Sequence, residues 1–204
     1  MAENYDVTIA TVRPGTQPRA LAALERTLAG DSDLLACWYS DIGALNRILI
    51  IRKGTDGASA AIESRFAVLR AQSPFGIGEF ITELSLDTYV PFDFMPPLRP
   101  GAFGPCYEVR SYVLKPDGLT PTVELWRKAV PGRTRLSPVL AAMVAVTGAA
   151  IRFLHVWPYK SFDERARLRE KAVADGVWPP PGGPGHLVSQ QADIYLPAAF
   201  SPLR

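Results

Sequence analysis

The feature that most constrains this chain is an internal repeat of about 100 residues within a sequence of 204. Three segments return in the same order, at offsets of 102, 105 and 106 positions. The matched segments are residues 5–15 with 107–117, 43–51 with 148–156, and 89–96 with 195–202. A repeat of this period indicates two copies of one structural unit. We therefore predict two domains, residues 1–98 and 106–204, joined by a linker at residues 99–105.

The first half has the pattern of four strands and two helices. Alternating or apolar runs predict strands at residues 5–12, 34–39, 46–51 and 80–86. Thr16 is a residue type that caps helices, and a helical pattern of leucines follows it. The turn at residues 54–57 precedes a second helical pattern, in which Ile62, Phe66 and Leu69 share one face. The predicted order is β-α-β-β-α-β.

The second half repeats this order with clearer helix boundaries. Thr120 followed by Pro121 predicts the start of its first helix. Ser161 and Glu164 form a capping box for the second helix, and Gly176 predicts its end. The alternation of basic and acidic residues over 163–171 is typical of a solvated helix face. The last strand is predicted at residues 187–196.

This split β-α-β plan is the ferredoxin-like arrangement, in which both helices cover one face of a four-stranded sheet. The other face needs cover as well, because the strands carry apolar residues on both sides. We therefore predict an α+β protein of two tandem ferredoxin-like (βαββαβ) domains, with their sheets packed as a dimeric α/β barrel. The barrel forms either within the chain, as a pseudo-dimer, or between chains of a homo-oligomer.

Composition excludes several classes of function. A net charge of +2 with dispersed basic residues argues against nucleic-acid binding. No apolar run approaches the roughly 20 residues of a membrane span, and the first residues lack the pattern of a signal peptide. Cys37 and Cys106 lie in different halves, which favours a reduced, cytoplasmic setting. Two histidines and two lone cysteines have no metal-ligand spacing, so we predict no metal and no cofactor.

The second half resembles the NIPSNAP family of dimeric α/β-barrel proteins. The resemblance rests on residues 107–116, 124–126, 148–159 and 199–202, and it covers nearly all of residues 106–204. It implies the barrel fold, in a group that includes cofactor-free oxygenases, haem proteins and small-molecule binders. Mammalian members look like mitochondrial and vesicle-associated adaptors. The resemblance therefore implies no particular chemistry.

Both halves depart from the family pattern around the third strand, which has an asparagine, a histidine and a tryptophan. The second half has the histidine, His155, but carries Ile151 where asparagine is expected. The first half has the asparagine, Asn46, but carries Ile50 and Arg52 at the histidine and tryptophan positions. The halves are either two specialised parts of one site or the products of drift in a site that no longer works.

Period-two alternation places polar and aromatic side chains together on one face of two strands in the second half. We predict that this face lines the barrel interior, with Tyr107 and Val109 directed toward the helices. A concave, mostly apolar space with a few convergent polar groups is the usual small-molecule site. The predicted substrate-binding residues are Glu108, Arg110, Tyr112, Trp157, Asn46 and Arg52.

His155 is the candidate catalytic residue. Imidazole titrates near neutral pH and coordinates metals, so His155 could be a general base or a haem ligand. The alternative is a core histidine hydrogen-bonded to Glu108 or to a hydroxyl group. Glu108 and Arg110 form either an ion pair within the protein or, through Arg110, a clamp for a substrate carboxylate.

Two classes of function follow from these patterns. The first is a small-molecule binder, with or without catalysis, that uses the barrel cavity. The second is an interaction or scaffold protein that acts through oligomerisation. Haem binding through His155 is a third hypothesis.

Overall fold

The computed structural model describes residues 3–55 and 57–204; Met1, Ala2 and Asp56, the last from the predicted turn at 54–57, lie outside the described residues. The elements follow the order β-α-β-β-α-β twice. Those of the first half are β1 Tyr5–Val12, α1 Gln17–Leu28, β2 Leu34–Ile42, β3 Arg47–Lys53, α2 Ala58–Arg70 and β4 Ile81–Pro91. Those of the second half are β5 Cys106–Leu114, α3 Leu119–Thr134, β6 Ala141–Ala145, β7 Arg152–Tyr159, α4 Phe162–Ala174 and β8 Leu187–Pro197.

The eight strands form one closed barrel in the order β1-β3-β2-β8-β5-β7-β6-β4, and all neighbours are antiparallel. The two four-stranded sheets meet at two seams, where β2 pairs with β8 and β4 pairs with β6. The predicted α+β fold of two ferredoxin-like units is therefore confirmed, and the barrel closes within a single chain. Closure leaves no exposed strand edges at the seams.

Side chains from both halves fill the barrel interior. Tyr107 and Val109 of β5 lie there beside Leu154 and Val156 of β7. The Tyr107 ring stacks on Trp38 of the other half, with ring centroids 4.2 Å apart. An eight-stranded barrel has room inside for little more than such side chains. The predicted orientation was therefore wrong, because Tyr107 and Val109 face inward and the polar set faces outward, toward the helices.

Three helices bury apolar or aromatic side chains against the outer face of the barrel, and α2 differs. Helix α1 buries Leu24 and Leu28, and α3 buries Trp126. The apolar side chains of α2 instead face solvent; Ile62, Phe66 and Leu69 are 69%, 56% and 59% exposed. The expectation that both helices of the first half cover the sheet with apolar side chains is thus wrong for α2.

The half-buried side of α2 carries a charged residue among small and apolar ones. Arg65 lies there, hydrogen-bonded to Thr88 and 3.8 Å from the carboxylate of Asp6 on β1. With this side toward the sheet, the opposite side of α2, which carries Ile62, Phe66 and Leu69, faces solvent. None of the helices among the described residues is long and apolar enough to cross a membrane.

The helix boundaries agree with the sequence pattern in part. Ser161 accepts a hydrogen bond from the backbone N–H of Glu164 at 3.1 Å, as the capping box predicts. Helix α3 begins two residues early, at Leu119, so Thr120 is not its N-cap. Pro121 then lies in the first turn, where its missing N–H costs no helical hydrogen bond.

At each seam of the barrel, a buried aspartate of one half accepts hydrogen bonds from the other half. Asp87 of β4 accepts hydrogen bonds from Arg152 at 2.5 and 2.6 Å and from Thr147 at 3.0 Å, both in the second half. Asp193 of β8 accepts a bond from the backbone N–H of Ala44 in the first half, at 2.8 Å. The two aspartates lie 106 positions apart, as do the repeated segments around them. Each half therefore holds the turn between the middle strands of the other.

The repeated glycines belong to the same contacts. Gly43 and Gly148 have positive φ angles of 104° and 89°, which favour glycine. A Cβ atom would collide with Asp193 at Gly43 and with the Arg152 guanidinium at Gly148. The recurrence of glycine in both copies thus follows from the seam geometry.

Replacement of Asp87 by alanine will destabilise the protein. Burial alone would raise the pKa of Asp87, but the hydrogen bonds and charge of Arg152 outweigh it and hold the pKa below its ordinary value. Asp87→Ala leaves a half-buried guanidinium without its partner, and we expect a loss of about 2 kcal/mol in the free energy of unfolding. The measurement is chemical denaturation. Asp93→Ala is the control, because the Asp93–Arg127 pair is exposed; equal effects from the two variants would contradict the prediction.

Candidate functional site

A cavity of about 250 Å³ lies outside the barrel, between the outer face of β5 and β7 and the helices that cover it. We call it the sheet–helix cavity. Its remaining wall is the proline-rich segment between α4 and β8. Aromatic walls are supplied by Tyr112, Trp126, Phe153 and Trp178, and polar groups by Arg110, Thr122, His155, Arg169 and Gln190.

The structure brings part of the predicted site together. Arg110, Tyr112 and His155 line the cavity. Glu108 and Trp157 lie directly behind them, each bonded to a cavity residue. The predicted set therefore does converge in the second half, but under the helices and not inside the barrel. The interior is occupied by the apolar faces of the same strands.

Asn46 and Arg52 do not join this site. Asn46 precedes β3 in a left-handed conformation, φ 59°, and its carbonyl accepts a hydrogen bond from Val12 at 2.8 Å. Arg52 pairs with Asp31 at 2.9 Å. Both belong to the outer layer of the first half, so the expectation of one cavity shared by both halves is not met.

His155 is enclosed by aromatic rings. Its imidazole lies edge-on to Tyr112 and Trp126, both with ring centroids 4.8 Å away, and 4.9 Å from Phe153. Its Nδ1 accepts a hydrogen bond of 2.6 Å from the indole Nε1–H of Trp157. Because an indole N–H can only donate, Nδ1 must carry the lone pair, and the proton of the neutral ring is on Nε2.

The charge state of His155 follows from its surroundings. Burial, and then the positive charges of Arg110 and Arg169, lower the pKa of His155 well below its ordinary value. The ring is therefore neutral at physiological pH. Its Nε2 is buried and has no hydrogen-bond partner among the described residues. His155 thus lines the sheet–helix cavity and holds a buried N–H donor that has no partner among the described residues.

This tautomer bears on both predicted roles of His155. A general base or a haem ligand uses the Nε2 lone pair, which requires the proton on Nδ1 and the loss of the bond from Trp157. The cavity, about 250 Å³, is also smaller than the roughly 300–1,000 Å³ of pockets for drug-sized ligands. The residues do not fit haem, and the geometry favours a hydrogen-bond donor.

Glu108 organises the basic side of the site. It is fully buried, and its Oε1 accepts hydrogen bonds from Arg110 at 2.7 Å and from Arg165 at 2.6 Å. Arg169 lies 3.8 Å from Oε2. Burial alone would raise the pKa of Glu108, but the two bonded guanidiniums outweigh it and keep the pKa below its ordinary value. One carboxylate therefore faces three guanidiniums, which leaves a positive surplus.

Several cavity residues were not among the predicted site residues. Trp126, Trp178, Thr122 and Arg169 are examples, and Arg169 was expected on a solvated helix face. All four line the cavity. The spacing of Arg165 and Arg169, one helical turn apart, was the available signal, since two arginines on one face next to a buried Glu108 predict a bridge.

The corresponding space in the first half is nearly filled. A crevice of about 20 Å³ remains between β1 and α2, beside Asp6, Thr8 and Arg65. At the positions matching Phe153 and His155, Ile48 and Ile50 are fully buried in the apolar cluster under α1. The described residues hold no group of three or more His, Cys, Asp or Glu that could bind a metal ion.

Solved structures with a similar fold cover nearly the whole chain. An anthrone oxidase-like protein aligns over 97% of this chain and 92% of its own, with a TM-score of 0.67 and 10% sequence identity. A putative monooxygenase from Lactobacillus acidophilus NCFM aligns over 98% of this chain and 95% of its own, with a TM-score of 0.64 and 8% identity. At these identities the likeness shows the α/β-barrel fold alone.

Sequence comparison gives the family. The protein NipSnap of Drosophila melanogaster is 22% identical over 179 residues, which are 86% of this chain and 62% of that protein. This chain thus spans less than two thirds of that relative's length. The NIPSNAP family model matches residues 107–202, the half that contains the cavity. As the resemblance predicted, the second half of the chain is thus a NIPSNAP domain by its match to the family model.

Proposed function

We propose that the protein binds a small, flat, largely apolar organic molecule in the sheet–helix cavity. The observation that carries the proposal is a pair of buried polar atoms, His155 Nε2 and Thr122 Oγ1, in residues that line the cavity. Neither atom has a partner among the described residues. A buried unsatisfied polar group costs about 1–3 kcal/mol. A ligand that accepts hydrogen bonds would offset this cost.

The walls of the cavity favour a flat ligand. Trp126 lies edge-on to Phe153 and to Trp178, with ring centroids 4.7 and 4.6 Å away. The rings hold one another in place, so the apolar surface exists before a ligand arrives. The proposed role is binding, because the Nε2–H of His155 donates a hydrogen bond and has no lone pair with which to accept a proton.

A larger side chain at the cavity wall will block binding. Val173 of α4 lines the cavity and is 64% exposed, so the fold should tolerate Val173→Trp. Two probes, 2-naphthoate and 2-naphthamide, are titrated by isothermal calorimetry. We expect at least one to bind, one molecule per chain, and Val173→Trp to weaken that binding about tenfold or more, since the indole would occupy the volume that the probe needs.

The control is Val188→Trp. Val188 is 65% exposed and does not line the cavity. It should leave the affinity unchanged. If neither probe binds, or if both tryptophan variants bind equally well, the cavity is not a ligand site.

A second candidate function is self-association through α2, which matches the expectation of a homo-oligomer. The exposed stripe of Ile62, Phe66 and Leu69 has an acidic residue, Glu63, near one end and Arg70 at the other. Two copies packed antiparallel about a two-fold axis near Phe66 would bring Glu63 of each copy to Arg70 of the other. The stripe is thus complementary to itself in charge.

A charge at the centre of the stripe will prevent association. We expect the unmodified protein to form dimers in a concentration series by sedimentation velocity, and Phe66→Glu to remain monomeric because it places a carboxylate in the apolar contact. Val146→Glu, at an exposed valine outside α2, should still dimerise. A monomeric parent protein, or a dimeric Phe66→Glu variant, would rule out this interface.

A further inference from the structure

We infer that the ligand of the sheet–helix cavity is an organic carboxylate, held by the Nε2–H of His155 and the guanidiniums of Arg110 and Arg169. The inference rests on the proposed function and specifies its ligand class. Three features of the cavity support it: a hydrogen-bond donor fixed in direction, an excess of positive charge, and apolar walls that fit the body of the same molecule.

The donor is fixed by its neighbours. Trp157 donates to Nδ1 of His155 at 2.6 Å, which keeps the proton on Nε2. Trp157 is itself held from behind, since the guanidinium of Arg133 lies 4.6 Å from the centroid of its ring. His155 therefore cannot rotate or change tautomer without breaking a buried contact. A ligand oxygen is the matching group for such a donor.

The charge balance favours an anion over a neutral acceptor. Glu108 provides one negative charge for Arg110, Arg165 and Arg169. Arg169 has the longest of these contacts, 3.8 Å, and burial and then the nearby charge of Arg110 lower its pKa. A second carboxylate would offset the remaining positive charge, whereas a ketone or an amide would satisfy only the hydrogen-bond donors.

The guanidinium geometry fits a carboxylate. The planar guanidinium matches a planar carboxylate through two parallel N–H···O bonds. The bridge between Arg110 and Tyr112, 2.8 Å from Nη1 to the hydroxyl, fixes the plane of that guanidinium beside the aromatic wall. The ligand class is therefore an acid whose carboxylate is attached to a flat apolar body.

The first experiment compares 2-naphthoate with 2-naphthamide, which have the same shape and differ in charge. We expect the carboxylate to bind about tenfold more tightly or better, because charged hydrogen bonds are the stronger ones. Arg169→Gln should reduce this preference, because it weakens binding of the carboxylate more than binding of the amide. Arg167→Gln, an exposed arginine of the same helix outside the cavity, is the control with the same change of charge.

The outcomes separate the two proposals. If the amide binds as tightly as the carboxylate, or if Arg169→Gln keeps the preference, the ligand class is wrong while the binding site stands. If neither probe binds, the site itself fails. Equal losses in Arg167→Gln and Arg169→Gln would show a general effect of net charge and would also overturn the inference.

The second experiment tests the fixed donor directly. The chain has two histidines, so ¹⁵N-histidine labelling gives two imidazoles, and His186→Asn identifies His155. We expect the His155 Nε2 to be protonated and Nδ1 unprotonated, with Trp157→Phe raising the population of the other tautomer. His155→Gln, which retains an N–H donor, should keep more affinity for 2-naphthoate than His155→Leu. A protonated Nδ1 in the unmodified protein, or equal affinities in the two variants, would refute the assigned role.

Discussion

Side chains from both halves fill one closed barrel. This filling determines where the other parts of the molecule can lie. Eight strands leave an interior just wide enough for side chains, and rings such as Trp38 and Tyr107 occupy it across the boundary between the halves. The opposite face of each strand must then pack under the helices. In the second half that face carries Glu108 and His155, which places the polar groups in an outer layer where a cavity can open to a ligand.

Closure of the barrel also explains which residues recur in the repeat. Asp87 and Asp193 each bind a turn of the other half, and Gly43 and Gly148 supply the space those turns need. The two halves can close into one barrel only if both seams are satisfied, because buried polar groups without partners are costly. The recurring motif around the glycines therefore reflects assembly of the barrel and gives no information about the ligand.

Much of the fold could be predicted from the sequence, and less of the site. The repeat and the strand periods predicted the element order, and alternation correctly grouped Glu108 with Arg110 and His155 with Trp157. Alternation could not decide which face turns inward, because Tyr107 and Val109 are as apolar as the aromatic residues on the other side. The contributions of Trp178 and Arg169 depend on how α4 and the segment after it fold back over the sheet, which no local pattern encodes.

The two halves differ in how tightly the outer layer of the barrel is packed. In the first half, Ile48 and Ile50 fill the space under α1, and a well-packed core of this kind stabilises the fold. In the second half, the matching positions hold Phe153 and His155, and a buried donor remains without a partner. Such a group destabilises the protein unless a ligand satisfies it. A barrel that closes within one chain can tolerate that loss, because the seams bind the second half to a first half in which the corresponding space is nearly filled.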